Sequence, residues 1–491
     1  MKLEVHGCEE RYTIEQSLLN LFPGELPVYG PVQPEDESWA VFDCLEDNDG
    51  YQVDLRLSWN GRTVSRQTRQ VLTGTAFQRE GQRRHIIGSC FFLAYRELTG
   101  KQPPWGMLTG VRPDKLVTEA LSEGGTPEEA RALLESRYYV TPPRAALAVE
   151  TGTAAFQAAG DLGPKDIAVY IGIPFCPTRC AYCSFVSQSV ERSFALVEPY
   201  VDALVGEIAA GGRMVRELGL RVRAAYMGGG TPTTLTAAQM DRILSVYEAS
   251  FGPALDACRE LTVEAGRPDT ITAEKLAVLK AHGVDRVSVN PQTMEAEVLQ
   301  AIGRRHSPGE IEQAMELTAR AGFRHINMDL IAGLPADTPE GFRRSLARCL
   351  EFGTENLTVH TLALKKGSRI LLEGVPIPGP DAVAEMLDHA APALRDHGYA
   401  PYYLYRQKYM SGSFENVGWS IPGGACLYNI YIMSELCSIL SFGAGGSTKM
   451  VAPDRRRIQR VFNPKYPLEY SQRPEKLLAN QAAFAAFYQE L

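Results

Sequence analysis

From about residue 166 the chain settles into a recurring pattern of apolar and polar positions. A helical period ends at a glycine, a few residues follow, and a β-branched run begins. Gly283 leads into 286–289, Gly322 into 325–328 and Gly353 into 356–359. Glycine just past a helix end accepts the left-handed conformation that closes it. The helices also carry start signals. Ser307, Pro308 and Glu310 make a capping box with proline at the first helical position. Thr236 and Gln239 make a second box, followed by Met240, Ile243, Leu244 and Tyr247 at helical spacing. Thr338 and Pro339 open a third helix without the box. The pattern predicts strands at 166–173, 222–227, 260–264, 285–290, 324–330 and 356–361. Strands alternating with helices imply a parallel sheet: a complete or partial (β/α) barrel, or a doubly wound open sheet.

The flanking regions read differently. Residues 51–59 alternate and run into Asn60 and Gly61, the signature of a β-hairpin, and a helical pattern covers about 112 to 157. We expect three parts: an N-terminal α+β accessory domain over 1–160, a (β/α) core over 161–375, and a mixed C-terminal region over 376–491. The turn-rich stretch 160–164 marks the first boundary.

Composition narrows the class. The chain has 491 residues, 45% hydrophobic and 22% charged, as in a globular protein of more than one domain. No run approaches the ~18 apolar residues of a membrane span, and the polar N-terminus has no signal-peptide block, so a cytoplasmic location is expected. A net charge of −8 disfavours general nucleic-acid binding. Two arginine runs stand out: Arg62, Arg66, Arg69, Arg79, Arg83 and Arg84, and then Arg455, Arg456, Arg457 and Arg460. They read first as solvated faces, and otherwise as partners for carboxylates. Of the 10 cysteines, most are scattered singly, as reduced buried thiols are.

Cys176, Cys180 and Cys183 are the exception. They follow the first predicted strand, with Tyr182 before the last of them. Thiolates are the usual iron–sulfur ligands, and three of them on a four-iron cluster leave one iron open. Structural zinc is the alternative, but it wants four ligands, and no further Cys or His lies nearby. Gly228, Gly229 and Gly230, then Thr231, follow the second strand. Such a run lets backbone approach a ligand and offers N–H groups to a carboxylate; otherwise it is a tight turn. Glu264 closes the third strand, Gln292 follows the fourth, and Asp329 sits inside the fifth. A charge within an apolar strand needs a buried partner. These positions fall at the C-terminal ends of strands, the face on which parallel (β/α) folds assemble their sites.

The CxxxCxxC spacing with its aromatic resembles the radical S-adenosylmethionine superfamily. Tyr170, Ile173, Pro174, Phe175 and Cys176, with the run from Gly228 to Thr233, narrow the resemblance to the oxygen-independent coproporphyrinogen III oxidase family. Length and the N-terminal extension fit its HemZ-type branch. The resemblance covers roughly 165–450. It implies a partial barrel of about six strands and a [4Fe–4S] cluster on Cys176, Cys180 and Cys183. It also implies one or two molecules of S-adenosylmethionine, held by Gly229, Gly230, Thr231 and Glu264 and lined by Tyr170, Tyr182, Gln292, Arg304, Asp329 and Ala363. The last four of these match positions associated with the second molecule.

The implied chemistry is anaerobic. The reduced cluster cleaves S-adenosylmethionine, and the 5′-deoxyadenosyl radical takes hydrogen from a propionate β-carbon. Loss of CO2 and one electron then leaves a vinyl group, and two rounds give protoporphyrinogen IX. A porphyrinogen substrate and an electron donor such as a flavodoxin or ferredoxin are the implied partners. Two alternatives stay open: a haem- or porphyrin-binding chaperone without decarboxylation, and a radical methyltransferase acting on haem. The family often has histidine where this chain has Gly172, and a fourth cysteine where it has Phe185. The chaperone branch carries a histidine–asparagine motif ending in tyrosine–tryptophan; here the stretch 428–433 lacks both its histidine and its tryptophan.

Overall fold

The computed structural model describes residues 1–48, 50–183, 187–365, 367–407 and 413–491; Phe185 lies outside them. The chain divides into two compact units, Met1–Val149 and Glu150–Leu491. The helix Pro142–Gly160 runs across that division.

In the first unit, five strands form one sheet in the order β2-β1-β3-β4-β5: β1 (Lys2–His6), β2 (Val28–Tyr29), β3 (Trp39–Asp47), β4 (Gly50–Trp59) and β5 (Arg62–Gln70). The expected hairpin is β4–β5, with Trp59 opposite Arg62. Its two turn residues, Asn60 and Gly61, have φ of 49° and 74°. Both being positive matches the twist of the strands they join. The long helix Ala76–Thr99 opens on a Thr75–Gln78 capping box and buries Ile86, Ile87, Phe91 and Phe92 with Phe42 and Leu55 of the sheet. The first arginine run is largely spent within this unit. Arg66 pairs with Glu97, Arg69 with Asp47, Arg83 with Glu10 and Glu46, and Arg84 with Glu80.

The second unit is built on the predicted parallel strands: β6 (Asp166–Ile173), β9 (Arg221–Gly229), β10 (Leu261–Glu264), β11 (Arg286–Ser288), β12 (His325–Ala332) and β13 (Asn356–Thr361). Two of these coincide with the expected limits, and the others shift by one or two residues at an end. Between β6 and β9 lies the short pair β7 (Phe175–Cys176) and β8 (Gln188–Ser189). The order β6-β9-β10-β11-β12-β13 follows the chain without reversal. A doubly wound sheet reverses its strand order at a switch point, so the winding is that of a barrel. The boxes at Thr236 and Ser307 form as expected, and Thr338 caps its helix through the Gly341 N–H.

The C-terminal region extends this sheet on both sides. β14 (Ala400–Arg406) and β15 (Glu415–Ser420) are antiparallel additions beyond β13. β16 (Ser438–Phe442) lies parallel to β6, and β17 (Ser447–Val451) and β18 (Ile458–Phe462) follow it. Among the described residues the sheet thus has eleven strands. In the second arginine run, Arg457 pairs with Glu490 and Arg460 with Glu435. No helix among the described residues is long and apolar enough to cross a membrane.

Candidate active site

A cavity of about 570 Å³ opens at the C-terminal ends of the parallel strands. The site residues that the resemblance implies lie on its wall: Cys176, Cys180, Cys183, Tyr170, Tyr182, Gly229, Gly230, Thr231, Glu264, Gln292, Arg304, Asp329 and Ala363.

The segment that carries the cysteines is tied to its surroundings at several points. Phe175 is buried edge-on against Tyr200, with ring centroids 5.3 Å apart. The N–H groups of Gly230 and Thr231 donate to the carbonyls of Ile173 and Phe175, each at 2.7 Å. The Ala181 N–H donates to Ile302 O at 2.9 Å. The Thr231 hydroxyl lies 3.5 Å from Cys176 Sγ, and Ser187 Oγ lies 3.9 Å from Cys183 Sγ. Burial pushes the Cys176 thiol up to about 11. A thiol so raised becomes a thiolate when a cation binds it.

These hydrogen bonds narrow one expectation. The N–H groups of Gly230 and Thr231 are spent on the cysteine loop and are not free to receive a carboxylate. What the run provides is close approach. A Cβ at Gly230 would lie 2.5 Å from Phe175 O, and one at Gly228 would lie 2.9 Å from Glu264 Oε2.

Glu264 faces the cavity and accepts a hydrogen bond from Tyr226 Oη at 2.5 Å. Withdrawal from water, aided by the charge of Asp329 and opposed by the Tyr226 hydroxyl, raises its pKa to about 7. Tyr226, Tyr170 and Tyr428 stack on one another, the closest pair being Tyr226 and Tyr428 at 4.7 Å. Asp329 accepts from Asn327 Nδ2 at 2.9 Å and has His360 Nε2 at 3.7 Å. It is therefore both a cavity residue and one half of an ion pair. The pair raises the His360 pKa and lowers that of Asp329, in both cases against the cost of burial.

Beyond Asp329 the wall is held in an unusual conformation. Gln292 has φ of 69° and is locked by bonds to and from β12, its N–H donating to Asp329 O and its carbonyl accepting from Ile331. A non-glycine residue so placed carries strain, which persists where surrounding structure enforces it. Arg304 donates to Asn290 O and to Tyr182 Oη. Gln292 Oε1, Asn290 Oδ1 and Arg304 Nε are buried without a hydrogen-bond partner among the described residues. Buried polar atoms left unmatched at one wall mark where a polar ligand belongs.

Tyr226, Tyr428, His360 and Arg267 are cavity residues that sequence reasoning missed. A signal existed for His360: Asp329 required a buried partner, and the strand beside it carries this one histidine. Gly172 is also accounted for. A Cβ there would lie 3.2 Å from Phe442 O and 3.4 Å from the Tyr170 ring, so β16 leaves little room for a histidine.

The donor set fits an iron–sulfur cluster with a bound cofactor: three thiols on one loop, hydroxyls and a guanidinium beside their sulfurs, and unmatched polar atoms across the cavity. No three His, Cys, Asp or Glu side chains among the described residues converge on a single point. A cubane does not ask them to, since its thiolates bind separate irons.

Comparison with known proteins agrees. The Radical SAM superfamily matches residues 170–349. The chain is 37% identical over 484 residues to the oxygen-independent coproporphyrinogen-III oxidase-like protein HemZ of Bacillus subtilis, covering 97% of this chain and 96% of that one. It is 27% identical over 306 residues to the heme chaperone HemW of Escherichia coli, covering 62% and 76%. The solved coproporphyrinogen III oxidase (HemN) of Escherichia coli shares the fold, with a TM-score of 0.53 at 23% identity over 67% of this chain and 73% of that one. Radical SAM proteins use a [4Fe–4S] cluster and S-adenosylmethionine. With a match running nearly end to end through both units, the chain belongs to the radical S-adenosylmethionine superfamily, in the HemZ-type branch of the oxygen-independent coproporphyrinogen III oxidase family.

Proposed function

We propose that this protein is a radical oxidoreductase that converts coproporphyrinogen III to protoporphyrinogen IX without oxygen, by oxidative decarboxylation of two propionates to vinyl groups. The observation that carries the reading is the match to the oxidase-like HemZ over 97% of the chain, against 62% for the chaperone HemW. When bound, the reduced cluster and S-adenosylmethionine supply a radical able to take hydrogen from a propionate β-carbon.

The chain's own residues hold and shield this chemistry. Cys176, Cys180 and Cys183 would hold the cluster. Glu264 suits an ammonium group, because a neighbouring positive charge would return its carboxyl to the ionised form. Gln292 Oε1, Asn290 Oδ1 and Arg304 Nε offer two acceptors and one donor to a polar cofactor. Lys365 is an exposed cation on the cavity wall, placed to pair with a substrate carboxylate. The stacked tyrosines keep water from the deeper wall. The cluster needs one electron from a donor such as a flavodoxin or ferredoxin, and each decarboxylation must release one to an acceptor. We place this activity in the cytoplasm.

The second reading, a porphyrin or haem chaperone, is favoured by the HemW match. Against it, the 428–433 stretch is part of a helix, Leu427–Ser434, whose Tyr428 is buried in the aromatic stack. One anaerobic experiment separates the readings. The reconstituted, reduced protein is given S-adenosylmethionine and coproporphyrinogen III, and porphyrin masses are followed by chromatography and mass spectrometry. Mono-vinyl and di-vinyl products are expected. Unchanged coproporphyrinogen, together with stoichiometric haem binding in a parallel titration, would establish the chaperone instead.

A further inference from the structure

The three cysteine sulfurs do not have equivalent surroundings. Cys176 and Cys183 have neutral hydroxyls beside them, from Thr231 and Ser187. Cys180 has guanidinium neighbours instead: Arg267 Nη1 lies 3.8 Å from its Sγ, and Arg304 also acts on it. Arg267 is only 2% exposed. It is held on two sides, donating through Nη1 to Thr178 Oγ1 at 3.1 Å and through Nε and Nη2 to the two carboxylate oxygens of Asp269 at 3.0 and 3.1 Å. His306, buried, lies 3.5 Å from Asp269 on the other side. Arg267 lies three residues past the end of β10 and immediately precedes the short turn Pro268–Thr270, which contains Asp269, so the backbone that presents Glu264 also aims this pair at the cysteine loop.

A fixed fork of this kind is more than a structural tie. A bidentate Arg–carboxylate pair sets the guanidinium's direction, and here the remaining nitrogen is directed at the cysteine loop. Reduction adds negative charge to a cluster and its thiolates. A buried cation at one thiolate favours the reduced form, and hydrogen bonds to ligand sulfurs act in the same sense. The carboxylate behind it works in the opposite sense, from farther away.

We propose that Arg267, oriented by Asp269, is a positioning residue that raises the reduction potential of the cluster through Cys180. The inference rests on the cluster of the superfamily and not on the porphyrin reading, so it survives if the substrate proves different.

The test is an anaerobic redox titration of the reconstituted full chain, followed by the electron paramagnetic resonance signal of the reduced cluster, with no substrate present. Arg267→Gln is expected to move the midpoint to more negative potential at unchanged iron content, and Arg267→Lys to move it less. An unchanged midpoint in Arg267→Gln with full iron would overturn the proposal. So would loss of the cluster in both Arg267→Gln and Arg267→Lys, which would mark a structural role.

Discussion

Glu264 is pushed toward its protonated form because its carboxylate has left water for a cavity that offers it one tyrosine hydroxyl and, nearby, another carboxylate. Its pKa rises from 4.5 to about 7. A carboxyl whose folded pKa is raised stabilises the fold fully below the unfolded value, and that contribution is lost as pH rises through the folded value. The ligand-free protein should therefore lose up to about 3 kcal/mol of stability between pH ~4.5 and ~7 on this account. Glu264→Gln keeps an acceptor for Tyr226 and should flatten the trend, as thermal melts across that range would show. Parallel slopes for the two proteins would mean that the carboxyl is ionised throughout. The residue was legible in the sequence as an acid closing an apolar strand. Its hydroxyl partner was not, because a tyrosine at an inward strand position looks like ordinary core until the neighbouring strand is in register.

The elements that carry the site are those whose local signals were clearest. Capping boxes at Thr236 and Ser307 and glycines after each helix put the parallel strands within a residue or two of their places, because each signal is satisfied within its own turn. The helix Ala76–Thr99 escaped for the opposite reason. Its first turns are charged and its second half, from Ile86 to Tyr95, is buried almost all round, so no 3.6-residue stripe remains to be read. The glycine run was found, but part of its use was hidden. The N–H groups of Gly230 and Thr231 anchor the Cys176 strand, a long-range pairing that no local pattern reveals. That pairing makes Gly230 the sensitive position. Gly230→Ala would press a Cβ to 2.5 Å from Phe175 O and displace the loop bearing Cys176. We expect a stability loss of roughly 1–3 kcal/mol and a fall in retained iron, read by iron-to-protein ratio after desalting. Full iron retention would show that the loop tolerates the shift.

At the scale of the whole molecule, the C-terminal region completes the barrel-like sheet. β15 covers the outer edge of β13, and β16 that of β6. A buried carboxylate, Glu207, ties the region to the helix Val197–Glu217, accepting from Tyr470 Oη, Asn463 Nδ2 and the Gly443 N–H at 2.5 to 2.8 Å. The sequence announced the six central strands but not this extension, since pairing at a sheet edge is set by distant register rather than by local period. A fragment limited to 161–375 would bare both edges. It should show no cooperative thermal transition by circular dichroism, whereas a two-state melt would make that segment autonomous. All of these parts converge on one claim, that the Cys176 loop presents a cluster with an open iron to a cofactor across the cavity. The most direct measurement is electron paramagnetic resonance of the anaerobically reduced protein before and after adding S-adenosylmethionine. The account predicts a [4Fe–4S] signal, absent when any one of the three cysteines is changed to serine, whose g-values move when the cofactor binds. A cluster signal indifferent to S-adenosylmethionine, or iron-free protein holding one zinc per chain, would contradict it.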